Sequence, residues 1–353
     1  MSQFHNLKVV DVKNETSDTV SVAFEVPESD RNAFDYDPGQ YLTLKFNING
    51  NDERRSYSMC SSPFSGEPIR IAVKRVENGL VSNHINDVIS VGSQIEVMPP
   101  QGNFILETSL EQKTYVAFAA GSGITPIWSM IKAVLDNEPV SKFVLFYGNK
   151  TSDSTIFKNE IDALVGDRFS VFNVLSREET GDSLTSGRID KNKAIELLKA
   201  NLDLLKAKAF YMCGPEEMIF NVKDALKELG VSDEKVKFEL FTTPVLLAED
   251  KEVEISDFNG MAKVKVIYDD EEVEFELATD GENVLEAAMK RDIDAPFSCK
   301  GAVCCTCKAK VTEGRMIMDA NYALSEEEVA EGYVLTCQAH PASANVVVDF
   351  DDA

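Results

Sequence analysis

The chain has 353 residues, 44% hydrophobic and 27% charged, which is enough for two or three domains, each with its own core. Its net charge of −25 argues against nucleic-acid binding, because phosphates would be repelled. The longest apolar run, Tyr115–Ala120, is too short for a membrane span, and the start "MSQFHNLKVV" has no basic region followed by an apolar stretch, so a cytoplasmic protein is expected.

Residues 1–108 read as short strands rich in β-branched and aromatic residues, punctuated by Gly, Pro, Asn and Asp. This spacing predicts a small antiparallel β-barrel with one short helix over Val81–Ile89. Within it, Arg54-Arg55-Ser56-Tyr57-Ser58 places neighbours on alternating faces of a strand. An Arg suits a pyrophosphate, a Tyr a flat ring and a Ser a ring nitrogen, though Tyr and Ser in a strand are usually just strand residues. A Gly79 turn then leads to Ser82 and Asn83 at an expected helix start, where free N–H groups suit an anion.

"RRSYS" and "NGLVSNHI" together resemble the flavin motifs of the ferredoxin–NADP reductase superfamily. The resemblance implies FAD rather than FMN. It puts Arg55 at the flavin pyrophosphate, Tyr57 on the isoalloxazine and Ser58 near the reactive N5 as a catalytic residue. It also implies mostly backbone contacts from Lys74 and Val81, and a phosphate contact from Ser82.

Residues 109–245 change pattern. "TYVAFAAGSGITPIWSMIKAVLD" is an apolar strand, a Gly-rich turn and a helix, and later segments repeat the scheme, so an α/β domain with a parallel sheet is expected. Ligands then bind at the carboxyl ends of the strands. Gly121 and Gly123 would let backbone approach a pyrophosphate, with a helix from about Pro126 presenting its N-terminus. The superfamily resemblance implies that this string binds the pyridine nucleotide with Thr125 close to the flavin. It also implies that Cys213-Gly214-Pro215 lies beside the nicotinamide, with Cys213 catalytic, although a buried cysteine is more often a small hydrophobe. Ser176 and Arg177 end another strand. Arg177 suits a 2′-phosphate, which favours NADPH, with NADH as the alternative because Glu178 follows directly. Phe241 is the candidate for the aromatic residue that covers the flavin in relatives.

Residues 246–260 read as a charged linker, with a final domain over 261–353. There, "AKVKVIYDDEEVEFELATD" is a hairpin signal and "ENVLEAAMKRDI" a short amphipathic helix. Cys299, Cys304 and Cys307, completed by Cys337, have the C-x4-C-x2-C…C ligand spacing of a plant-type [2Fe–2S] cluster. Gly301 is expected to let the loop turn closely over the sulfides. Cys305 is out of spacing and reads as a non-ligand. A structural zinc site would favour two C-x2-C pairs, of which there is one, and a disulfide framework needs an oxidising compartment. "CKGAVCCTCKAKVTEG" and "VLTCQAHP" resemble the β-grasp ferredoxin domain of reductases that feed oxygenases.

The three modules together resemble multicomponent oxygenase reductases, most closely the family of the phenylacetyl-CoA epoxidase reductase subunit. The implied activity is electron transfer from NADPH through FAD and [2Fe–2S] to an oxygenase, expected to be diiron. The alternatives are another oxygenase, such as a ketosteroid hydroxylase, or a small carrier protein. From Asp250 onward there are 24 acidic and 9 basic residues, which suits a basic partner surface or merely solubility.

Overall fold

The structure, a computed structural model, describes residues 4–245 and 257–352. Most of the linker expected over 246–260, namely 246–256, lies outside the described residues.

The first sheet is built from β1 (His5–Thr16), β2 (Thr19–Glu25), β3 (Tyr41–Ile48), β4 (Asn51–Ser58), β5 (Ile69–Lys74) and β6 (Gln94–Val97), with helix α1 (Leu80–Val88) between the last two. Its order is β4-β3-β6-β1-β2-β5, and all pairings are antiparallel. An antiparallel bridge from Met59, just past β4, to Ile71 of β5 joins the two edges and closes the barrel. The alternating apolar residues of these strands fill the interior, with Leu7, Val22, Leu42 and Ile71 fully buried.

The second unit alternates strands and helices: β7 (Thr114–Ala120), α2 (Ile124–Asn137), β8 (Lys142–Asn149), α3 (Lys158–Leu164), β9 (Phe169–Leu175), α4 (Lys191–Lys199), β10 (Ala209–Cys213), α5 (Glu216–Glu228) and β11 (Val236–Glu239). They form a parallel sheet of order β11-β10-β7-β8-β9. Helices cover both faces, so β7 is apolar on both. Tyr115, Ala117 and Ala119 pack with α2 on one side, and Val116 and Phe118 pack with α4 and α5 on the other. Phe104 and Leu106, which follow the barrel, join the α2-side core, and Phe104 meets Tyr211 edge-on at 5.8 Å. The first two units therefore share an apolar seam.

The third unit contains β12 (Met261–Tyr268), β13 (Glu271–Ala278), α6 (Val284–Met289), β14 (Lys308–Glu313), β15 (Met316–Met318), α7 (Glu326–Ala330), β16 (Tyr333–Leu335), β17 (Ala339–Pro341) and β18 (Asn345–Asp349). The sheet order is β13-β12-β18-β14-β16, with β15 and β17 forming a separate pair. The β12–β13 hairpin turns at Asp269 and Asp270, both at positive φ, as a two-residue turn with right-handed strand twist requires. Among the described residues, no helix is long and apolar enough to cross a membrane.

Candidate flavin, nucleotide and cluster sites

β4 and β5 bring Arg55, Tyr57, Ser58 and Lys74 to one cavity of about 580 Å³, and Val81 and Ser82 from the start of α1 complete that wall. Thr125 closes it from the nucleotide side, its hydroxyl donating to the Ser122 carbonyl at 3.0 Å. Cationic, aromatic and hydroxyl groups thus line one slot, a donor set that fits a flavin ring with its phosphates. Burial raises the Tyr57 phenol well above its ordinary pKa, so Tyr57 is a neutral surface there.

A second cavity of about 650 Å³ opens at the carboxyl ends of the parallel strands and is lined by Gly121, Ser176, Arg177, Gly214 and Pro215. Lys150 and Arg188 add two further cations. Buried Asn149 lies in its wall with an amide nitrogen that has no partner, as a polar ligand site requires. Glu178 is otherwise engaged, since its carboxylate accepts the Ser152 N–H at 2.9 Å. Phe241, 42% exposed, lines both cavities.

Three expected residues are not brought to either cavity. The Cys213 thiol is fully buried, and burial raises its pKa well above the ordinary value, with Glu239 adding to the rise. Gly123 serves packing instead, because a Cβ there would lie 2.1 Å from the Cys213 carbonyl oxygen. Pro126 is buried inside the first turn of α2.

Sequence reasoning missed Glu239. β11 pairs with β10 so that Glu239 stands beside Cys213, and its carboxylate reaches the flavin cavity. The Ser58 hydroxyl donates to Glu239 Oε2 at 3.2 Å. Burial raises this carboxyl toward about 8, partly offset by the Ser58 bond, so it keeps its proton well above the pH at which an exposed glutamate loses it. The sequence cue is slight: an acid in "FELF", 181 residues from Ser58.

The cysteines form two pairs. Cys304 donates to Cys299 across 3.1 Å, which holds the Cys299 thiol down at about 6 and pushes Cys304 up. Cys307 and Cys337 make up the second pair, whose mutual contact lowers Cys337 and raises Cys307. The Gly301 N–H donates to the Cys299 sulfur at 3.3 Å, and the nearby amides of Val303 and Cys304 help to lower that thiol, as the Ala302 amide does for Cys337. Among the described residues, no three His, Cys, Asp or Glu side chains converge on one ion position. Two cysteine pairs with amide donors fit the two irons and the sulfides of a [2Fe–2S] cluster. The loop turns through left-handed Lys300 and Ala302 rather than Gly301. A Cβ at Gly301 would meet only the Thr243 hydroxyl, an exposed side-chain end that can rotate away and that here donates to the Gly301 carbonyl at 3.0 Å.

Cys299 and Cys304 also line the flavin cavity. The third unit is held there by polar contacts to the barrel and by Val303 and Tyr322, which pack against the apolar core of the nucleotide unit. Ser56 donates to Ser298 at 2.8 Å, and the Tyr41 and Thr306 hydroxyls meet at 3.2 Å. Arg54, 1% exposed, pairs with Asp52 and Asp294 and lies 4.3 Å over the Phe297 ring.

Comparison with known proteins matches three family descriptions in chain order: an oxidoreductase FAD-binding domain over residues 6–105, an oxidoreductase NAD-binding domain over 118–224, and a 2Fe-2S iron-sulfur cluster binding domain over 266–342. One of the subunits of the 1,2-phenylacetyl-CoA epoxidase of Escherichia coli (strain K12) is 40% identical, across 99% of both chains. The chain belongs to the oxygenase reductases of the ferredoxin–NADP reductase type that carry a [2Fe–2S] ferredoxin domain. Another reductase of this kind, the ferredoxin reductase component of 3-ketosteroid-9-alpha-monooxygenase from Rhodococcus rhodochrous, is 33% identical over 98% of this chain and 96% of its own. The fold is shared with phthalate dioxygenase reductase at TM-score 0.60 and 23% identity, covering 98% of each chain. As an oxygenase reductase, the protein is an FAD, NAD and [2Fe–2S] electron-transfer enzyme.

Proposed function

We propose that this reductase passes electrons from NADPH to the oxygenase component of a phenylacetyl-CoA epoxidase, a diiron protein, in the cytoplasm. The observation that carries the electron path is one cavity with Arg55, Tyr57 and Ser58 on one wall and Cys299 and Cys304 on another. The partner assignment rests on 40% identity across 99% of both chains. The three units are taken to divide at 108/109 and across 246–260.

Bound FAD supplies the conversion of a two-electron hydride into single electrons, and the [2Fe–2S] cluster carries these one at a time. Arg55 and Lys74 offset phosphate charge, and Tyr57 gives the ring a neutral face. Glu239 holds a proton beside the Ser58 hydroxyl, so the pair can supply or take one at the flavin ring. Phe241 stands between the cavities and moves aside when nicotinamide enters. Three cations, Lys150, Arg177 and Arg188, with Glu178 already engaged, favour a 2′-phosphate and hence NADPH. The two cysteine pairs hold the cluster.

An anaerobic titration with NADPH and with NADH, followed by visible absorbance and EPR, tests the path. Flavin and cluster are both reduced, and faster with NADPH. Addition of the epoxidase oxygenase with phenylacetyl-CoA gives epoxide. Turnover only with a ketosteroid oxygenase, or only with a small carrier, moves the assignment to that acceptor.

A further inference from the structure

β8 ends on Tyr147, Gly148 and Asn149 and lies between β7 and β9 in the parallel sheet. Asn149 therefore stands at the carboxyl edge, where such sheets bind ligands. Gly148 pairs with Ala120 of β7, so the Gly121 turn begins beside it. The Tyr147 hydroxyl donates to the Gly121 carbonyl at 3.2 Å and ties that turn to β8. On the other side, backbone bonds continue past the strand ends. The Asn149 carbonyl accepts the Ser176 N–H at 2.9 Å, and the Lys150 carbonyl accepts the Arg177 N–H at 2.8 Å. The Ser176 hydroxyl also donates to the Asn149 carbonyl, at 3.3 Å.

The backbone of Asn149 is thus engaged, but its side-chain nitrogen is not. The residue is 8% exposed and lines the cavity of about 650 Å³, and the amide nitrogen has no hydrogen-bond partner among the described residues. A buried donor without an acceptor is costly, and a bound ligand removes that cost. The amide offers two N–H donors and no charge, which suits a sugar or ester oxygen. Its position narrows the choice. On the β7 side lies the Gly121 turn, which suits a pyrophosphate. On the β9 side lie Arg177 and Lys150, with Arg188 in the same cavity, which suit a 2′-phosphate. Between those two groups a pyridine dinucleotide carries its adenosine ribose.

We propose that Asn149 is a further binding residue for the pyridine dinucleotide, and that its amide N–H groups donate to the adenosine ribose where it joins the pyrophosphate. This role rests on the reading of that cavity as the nucleotide site. The ribose and its link to the pyrophosphate are common to NADPH and NADH. Asn149 therefore contributes to affinity for both and not to the choice between them, which falls to Arg177. The contact is made equally before and during hydride transfer, because it lies away from the nicotinamide. Its loss weakens binding and leaves the rate at saturation alone.

The experiment measures the affinity of the full-length protein, with flavin and cluster in place, for NADP⁺, NAD⁺ and 2′,5′-ADP by titration calorimetry, and the rate of flavin reduction by stopped-flow. Asn149→Ala weakens all three ligands by a common factor, roughly three- to thirtyfold, the loss for one hydrogen bond. Asn149→Asp keeps the shape and the acceptors but loses both donors and adds a negative charge, so it weakens them further. Flavin reduction at saturating NADPH stays at the native rate in both variants. Arg177→Ala, by contrast, weakens NADP⁺ and 2′,5′-ADP and spares NAD⁺. Native affinity in Asn149→Asp overturns the proposal, since an acceptor then suffices. So does a loss confined to NADP⁺ and 2′,5′-ADP, or a slower rate at saturation with unchanged affinity. A native protein that binds neither NADP⁺ nor NAD⁺ overturns the nucleotide-site reading, and this proposal with it.

Discussion

Replacing Glu239 by Gln keeps the size and an acceptor for the Ser58 hydroxyl but removes the titrating proton. The native carboxyl is raised from 4.5 to about 8, chiefly by burial. Between those values the folded protein keeps a proton that the unfolded chain has released, so the folded state binds more protons and stability falls as pH rises. At about 1.4 kcal/mol for each tenfold change in proton affinity, that amounts to roughly 5 kcal/mol. Glu239 is only half-buried, and solvent reaching it through the cavity reduces the effect to about 2–4 kcal/mol. The Gln variant escapes this loss. Thermal unfolding of flavin-free native and variant proteins across about pH 5 to 8.5 measures it. The variant's midpoint gains on the native one by roughly 5–10 °C over that window. A difference that stays flat, or shrinks with rising pH, refutes the assignment of a protonated Glu239. With FAD bound, the same variant loses the alkaline limb near pH 8 from the pH profile of flavin reduction.

Arg54→Met removes a buried cation shared by two units. Because Asp52 and Asp294 are 40% and 62% exposed, we expect a loss of about 1–3 kcal/mol in docking, read as slower cluster reduction with unchanged flavin reduction in stopped-flow. Arg177→Ala raises KM for NADPH roughly ten- to a hundredfold and leaves KM for NADH nearly unchanged, as loss of one charge-assisted bond to a 2′-phosphate requires. Cys305→Ala keeps the iron content and the EPR signal, whereas Cys307→Ala loses the native cluster. A Cys305→Ala protein without iron would contradict the ligand set.

Much of the fold was legible because each unit obeys a local rule. Period-two strands with turn residues gave the barrel, an all-apolar β7 followed by a Gly-rich turn gave the parallel sheet, and cysteine spacing gave the cluster loop. What sequence reading missed depends on distant segments meeting. Glu239 becomes a flavin-site residue only when β11 lies beside β10 and its end reaches Ser58. Arg54 and Arg55 are neighbours in sequence, yet strand alternation sends Arg55 to the flavin cavity and Arg54 into the ferredoxin join. Gly301 looked like a turn glycine, but the left-handed turns fall at Lys300 and Ala302, and the Gly301 carbonyl instead accepts from Thr243, 58 residues away. Cys213 was read from its motif as catalytic, but the thiol itself is enclosed by the sheet and its helices.

The contrast between the joins also bears on mechanism. The barrel and nucleotide units share an apolar seam through Phe104 and Leu106, while the ferredoxin unit meets the barrel through hydroxyls and one arginine and the nucleotide unit through Val303 and Tyr322. The polar part of this join exchanges readily with water.

The central claim is that electrons pass from flavin to cluster within one chain, across the cavity that Ser58 and Cys304 share. Anaerobic stopped-flow with NADPH, at protein concentrations spanning about two decades, tests it directly. The account predicts flavin bleaching followed by cluster reduction, with a first-order rate independent of protein concentration. Cluster reduction that scales with protein concentration, or flavin bleaching with an oxidised cluster left behind, would contradict it.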